Sequence, residues 1–164
     1  MIDPSYYLPW QRDAALEIYK FFNGRSARRG LMLPYHAAAM VEQADAESSF
    51  FKDVWGDHNE AYGLFQLHSD RLAKGCIFLN VPVPVRTGAL RADHALSIEQ
   101  QCQIVWHELQ TTESAAFAAI LAARDAYQAG AAACKYYERA GAPGQPNKRG
   151  QATGLWLKWL EGPH

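Results

Sequence analysis

Apolar residues recur at helical spacing over most of the chain. Residues 10–22 carry Trp10, Ala14, Leu16, Ile18 and Phe21, then stop at Asn23-Gly24, a helix-ending pair. Pro34 suits a first helical turn, and residues 36–49 continue with Ala37, Met40, Val41 and Ala44 on one side. The period breaks over 51–62, where Gly56, Asp57, His58 and Asn59 favour turns between Val54-Trp55 and Tyr62, predicting a short β-hairpin or extended loop. Residues 75–95 hold Pro82, Pro84 and Gly88 without helical period and predict a long surface connection. Ser97-Ile98-Glu99-Gln100 fits a capping box opening a helix with Ile98, Cys102, Val105 and Leu109. Further helices are predicted over 115–123, over 130–140 with a stop at Gly141 and Pro143 beyond, and over 148–160 with Leu155, Trp156, Trp159 and Leu160.

The fold class that follows is mainly α: a single α+β domain of about six to seven helices with a small β-hairpin after the second. No linker divides the 164 residues. The expected parts are an N-terminal helix with its lead-in (1–30), a second helix with the hairpin (31–74), the connection (75–96) and a helical lobe (97–164). At 18.3 kDa, one domain is the expected count. Hydrophobic residues at 49% and charged residues at 20% exclude disorder. Lys and Arg number 16 against 17 Asp and Glu, so the basic excess that phosphate binding requires is missing and nucleic acid is not an expected partner. No apolar run approaches a membrane span, so no membrane insertion is expected. The first residues, MIDPSYYLPWQRDAALE, lack the basic and apolar regions of an export signal.

Cys76, Cys102 and Cys134 are too few and too far apart for a disulfide framework or a CxxC site, and are read as small apolar residues. His107-Glu108 begins like a zinc-protease helix, but Thr111 stands where the second histidine is needed. His58 and His68 flank the turn-rich stretch with no third ligand specified, so no metal and no organic cofactor is expected.

The stretch that bears chemistry is Ala46-Glu47-Ser48-Ser49-Phe50, followed by Ala61-Tyr62-Gly63-Leu64-Phe65-Gln66-Leu67. At about 100° per residue, Glu47 lies about 20° from Met40 and about 60° from Ala44 around the helix, near the apolar face and the helix end. A carboxylate placed there either finds a partner or holds on to its proton. A protonated carboxyl donates to a leaving-group oxygen, the general-acid step of glycoside cleavage. The plainer reading is a helix-end Glu bound to a backbone amide or an Arg.

Glu47-Ser48 followed by Gly63-Leu64-Phe65-Gln66 resembles the lysozyme-like superfamily, with its catalytic Glu-Ser at a helix end and a Gly-Leu-x-Gln turn lining the sugar groove. The phage tail lysozyme family, related to lytic transglycosylases and goose-type lysozymes, is the nearer resemblance. It rests on a helix of the type His36-Ala37-Ala38-Ala39, on Glu47-Ser48-Ser49-Phe50, the Gly56-Asp57 turn, Ala61 to Gln66 and a following Arg71. A helix like Gln101 to Leu109 and a late Tyr137-Glu138-Arg139 complete it, so that the likeness runs over residues 29–160. The chain departs from the pattern at Leu67-His68, where a Trp is common, at Gln43-Ala44-Asp45 in place of Asn-Leu, and in the length of the 75–95 connection.

The resemblance implies that Glu47 protonates the β-1,4 glycosidic oxygen between N-acetylmuramic acid and N-acetylglucosamine in peptidoglycan. Asp57 and Glu60, on the hairpin, are the candidates for a second carboxylate acting as base or nucleophile. If neither serves, Glu47 acts alone as in lytic transglycosylases, giving 1,6-anhydro products. Ser48, Tyr62, Gly63, Gln66 and Tyr137 are the candidate substrate-binding residues; packing and capping roles stand beside each. A non-catalytic glycan-binding or phage-tail module, and cleavage of another β-1,4-linked amino sugar such as chitin, stay open. The implied partners are peptidoglycan strands and the proteins of a phage tail or gene-transfer particle. The protein is expected to be made in a bacterial cytoplasm and to act on the cell wall or in the periplasm, within a virion or tail-like particle or after release.

Overall fold

The computed structural model describes residues 3–139 and 142–163. Seven α-helices are present among them: α1 (Pro9–Phe22), α2 (Pro34–Ser48), α3 (Ser69–Leu79), α4 (Ile98–Gln110), α5 (Ser114–Leu121), α6 (Ala126–Ala132) and α7 (Gln145–Leu160). Antiparallel strands form three small sheets, the first made by β1 (Ser26–Ala27) and β2 (Gly30–Leu31), so the fold is mainly helical with a minor β part, as expected.

α2 is the axis of the domain. Residues 36–44 are buried without interruption, in contrast to the one-sided helix of an ordinary surface element. Three successive alanines, Ala37 to Ala39, present so little side chain that α1, α6 and α7 pack against the helix from different sides. Pro34 occupies its first turn, and the Leu33 amide donates to His36 Nδ1 at 3.0 Å. The helix ends at Ser49, which adopts a left-handed conformation (φ 51°) and donates its amide to the Asp45 carbonyl. The last turn of α2 therefore emerges from the core still carrying Asp45, Glu47 and Ser48.

α7 reaches this turn because α6 and α7 approach unusually closely. A Cβ on Gly130 would stand 2.1 Å from Thr153 Oγ1, and one on Gly150 would stand 2.6 Å from the Tyr127 carbonyl. After α6 the chain continues as a π-helical turn, Ala133–Glu138, ending at a left-handed Arg139. Such turns are infrequent and recur at functional sites. The helix expected over 130–140 is thus an α-helix followed by this π turn; its expected stop at Gly141 lies outside the described residues.

Beyond α2 the hairpin is the first two strands of a three-stranded sheet, β3 (Trp55–Gly56), β4 (Ala61–Tyr62) and β5 (Leu67–His68). Trp55 pairs with Tyr62, which pairs in turn with Leu67. Asp57, His58 and Asn59 cross the turn in three successive left-handed conformations, which Asp, His and Asn tolerate better than most residues. The 75–95 segment is not a bare connection. Its first residues complete α3, whose inner positions Leu72 and Cys76 are buried, and Val85–Gly88 pairs with Arg91–Asp93 as a further hairpin. Prolines 82 and 84 lie between these elements and end no helix within them. This second hairpin docks on β3, where the Trp55 indole donates to the Arg91 carbonyl at 3.3 Å. Two of the smallest strands, Ser26–Ala27 and Gly30–Leu31, form the remaining pair after α1.

The capping box at Ser97 is present: the Gln100 amide donates to Ser97 Oγ and the Ser97 amide to Gln100 Oε1. The next residue of that helix pins the β turn. Gln101 is fully buried, accepts from the Leu64 amide at 2.8 Å and donates to the Lys52 carbonyl at 2.9 Å. Gly63, at φ +77°, leaves room for it; a Cβ there would lie 2.1 Å from Gln101 Oε1. Gly63→Ala is expected to destabilise the protein by about 2 kcal/mol or more, from the left-handed backbone and the displaced amide together. In a Gln101→Ala background only the backbone part remains, so denaturant unfolding should show a smaller cost for the same substitution there.

Candidate functional site

Four carboxyl groups gather where the end of α2 meets α7 and the π turn. Glu42 and Asp45 belong to α2, Glu47 to its last turn, and Glu138 closes the π turn. Arg149 of α7, itself buried, reaches between them. Its Nη2 donates to Glu47 Oε1 at 2.8 Å, a charge-assisted bond, whereas Nη1 stands 3.6 Å from Glu42 Oε1, an ion-pair distance outside hydrogen-bond range. One guanidinium does not satisfy two carboxyl groups in a dry setting, and Arg149 bonds Glu47 rather than Glu42. Glu42 keeps its proton instead: burial pushes it up to about 8, with the neighbouring Asp45 charge adding to the effect. Asp45 is raised by burial too, although it accepts from the Tyr7 hydroxyl and the Trp156 indole. The Glu47 side chain keeps 25% of its surface, enough to meet a ligand.

A cavity of about 670 Å³ opens between α3, α4 and the π turn. Its wall includes Arg71, Glu108, Tyr137 and Glu138. Arg71 grips Glu108 in bidentate fashion, with two bonds of 2.8 Å, and its Nη2 lies 2.6 Å from the Tyr137 hydroxyl. Tyr137 donates to Glu108 Oε2 at 2.8 Å. Glu138 has no such partner: its Oε1 is sealed from solvent and unbonded among the described residues. Burial, reinforced by the Glu47 charge, pushes Glu138 up to about 8.

Of the residues expected to act on a ligand, Glu47 stands at this acidic cluster and Tyr137 in the wall of the cavity. Ser48 donates its hydroxyl to the Ala44 carbonyl of its own helix at 2.9 Å. Tyr62 is fully buried, its hydroxyl donating to Asp53 Oδ1 and accepting from the Leu96 amide. Gln66 Nε2 donates to the Gly63 carbonyl at 2.9 Å and packs on Gly56. Asp57 and Glu60 are exposed and gather with His68, their ligand atoms within 4.8 Å of one another. Exposed acidic groups commonly gather in this way without an ion, and no metal is assigned to them. All three cysteines are free and buried, as read.

Glu42 and Arg149 escaped the sequence reading because no motif joins them: Arg149 lies 102 residues from Glu47 along the chain. Glu138 was visible within Tyr137-Glu138-Arg139, but spacing alone gives it no burial. The helix-end Glu bound to an Arg, the plainer of the two readings of Glu47, is the contact observed.

The model of the phage tail lysozyme family matches residues 13–160 of the 164. The chain belongs to the phage tail lysozyme family. Neither the curated proteins nor the solved structures compared with it include a match. The family suggests a lysozyme-like function directed at peptidoglycan, as a glycosidase or transglycosylase, in a phage context. No helix among the described residues of this family member is long and apolar enough to cross a membrane.

The two carboxyls raised furthest, Glu42 and Glu138, make stability pH-dependent in a definite direction. Glu42 and Glu138 hold protons in the folded chain up to about pH 8 but release them near 4.5 when unfolded. Their contribution is complete below about pH 4.5 and is lost as the pH climbs through about 8. Thermal melts are expected to show a midpoint that falls between about pH 5 and 9, and a shallower fall in Glu42→Gln.

Proposed function

We propose that the protein is a muramidase, cleaving the β-1,4 bond between N-acetylmuramic acid and N-acetylglucosamine with Glu47 as the general acid. The observation that carries this is Glu47 itself, partly exposed at the end of a buried helix and held through one carboxyl oxygen by Arg149. The remaining carboxyl oxygen is the one to present a proton. Glu47 gives that proton to the glycosidic oxygen as the C1–O bond breaks, and positive charge develops at C1 and the ring oxygen. Arg149 then stabilises the carboxylate left behind. A water attacks C1, and its proton passes to the Glu47 carboxylate, which restores the acid.

A transglycosylase reading has one observation in its favour. Asp57 and Glu60 lie on the exposed edge of the β sheet with His68, and neither bonds to the Glu47 cluster. Without a second carboxylate, the sugar's own 6-hydroxyl attacks C1 and its proton passes to the Glu47 carboxylate, closing a 1,6-anhydro ring.

Purified peptidoglycan digested with wild type and with Glu47→Gln distinguishes these readings. Soluble muropeptides from wild type, and a loss of at least about a thousandfold in Glu47→Gln, are expected for an essential proton donor. Mass spectrometry assigns the course: reducing ends mean hydrolysis, and products lighter by one water mean transglycosylation. Equal activity in Glu47→Gln would remove the acid role. Glycan binding without release by either protein would leave a binding or tail-structural module.

A further inference from the structure

Glu138 stands apart from the other buried polar groups. The orphaned atoms of His36, Glu42 and Gln43 belong to the helix at the centre of the core, whereas Glu138 borders the 670 Å³ cavity. An unsatisfied buried carboxyl oxygen is costly, and a turn of the partly buried Glu138 side chain toward the cavity it lines brings that oxygen to a ligand. The groups around Glu138 are already committed. From α2, Glu47 is taken by Arg149 of α7; from α3 and α4, Arg71 and Glu108 bind each other and Tyr137. Cys134, on the same π turn, is a buried free thiol. At the cavity's edge Arg139 pairs with Glu113 and Lys74 with Asp70, with His68 and His107 alongside. The cavity therefore offers no unpaired cation to an anionic ligand among these groups; it offers a carboxyl.

We infer that Glu138 is a substrate-binding residue of the Glu47 site, its uncharged carboxyl donating a hydrogen bond to the N-acetyl carbonyl of an amino sugar lodged in the cavity. This deepens the muramidase reading and rests on it. A protonated carboxyl is a strong donor, and an amide carbonyl is the strongest uncharged acceptor on such a polymer. The raised value near 8 keeps that donor available at neutral pH. Once ionised, Glu138 turns an acceptor toward the carbonyl, and the bond becomes a repulsion.

The test is calorimetric binding of a hydrolysis-resistant, thio-linked tetrasaccharide of alternating N-acetylmuramic acid and N-acetylglucosamine. For the wild type, Kd is expected to rise about tenfold from pH 7 to pH 9, following ionisation of one group. Glu138→Gln retains a donor and has nothing to ionise, so that rise should vanish. Glu138→Ala should bind about tenfold more weakly than wild type at pH 7, with melting curves confirming a folded protein. If the alanine variant does not fold, the glutamine variant decides. A Kd for Glu138→Gln that rises with pH as in wild type, a folded Glu138→Ala that binds like wild type, or no binding by wild type at any pH overturns the inference. Digestion by wild type and Glu47→Gln reports separately on the reading beneath it.

Discussion

Burying acidic groups beside the end of a central helix is costly, and the fold is arranged around that cost. α2 is enclosed on all sides by packing that its alanines allow. Glu42, Asp45 and Glu47 are then drawn partly or wholly out of water. A guanidinium from α7 offsets part of the penalty, and it arrives only because Gly130 and Gly150 let α6 and α7 close on each other. Arg149 bonds the outermost carboxylate, and the inner one stays protonated. The result is a partly exposed Glu47 held by Arg149, with a neutral acid behind it.

The same logic separates the two parts of the site. Near Glu47 the polar groups are incompletely satisfied, as Glu42 and Glu138 show. In the cavity wall, Arg71, Glu108 and Tyr137 satisfy one another closely and give a fixed surface. The π turn links the two, presenting Tyr137 to the satisfied cluster and Glu138 to the unsatisfied one.

What could be read from the residues, and what could not, divides along physical lines. Local signals were legible: Pro34 at the start of α2, the Ser97 capping box and the turn residues at Gly56 to Asn59 all lie where pattern placed them. Periodicity placed Glu47 near the apolar face at the helix end, where it lies, whereas its acid role comes from the family resemblance. α3 escaped local pattern because its buried positions are few, Leu72, Gly75 and Cys76, one of them without a side chain, and prolines follow closely. Arg149 and the fully buried Gln101 act across 102 and 37 residues of chain, respectively, a separation over which no local pattern speaks. Burial decided the remainder: Tyr62 and Tyr137 carry hydroxyls suited to sugar, yet each hydroxyl is engaged within the protein.

The account turns on whether the glycosidic oxygen comes to residue 47. A crystal structure of Glu47→Gln bound to a tetrasaccharide of alternating N-acetylmuramic acid and N-acetylglucosamine measures this directly. The account predicts a glycosidic oxygen about 3 Å from the residue 47 side chain, with a sugar ring entering the cavity beside Glu138. A strand bound elsewhere, with no sugar linkage near residue 47, would contradict it.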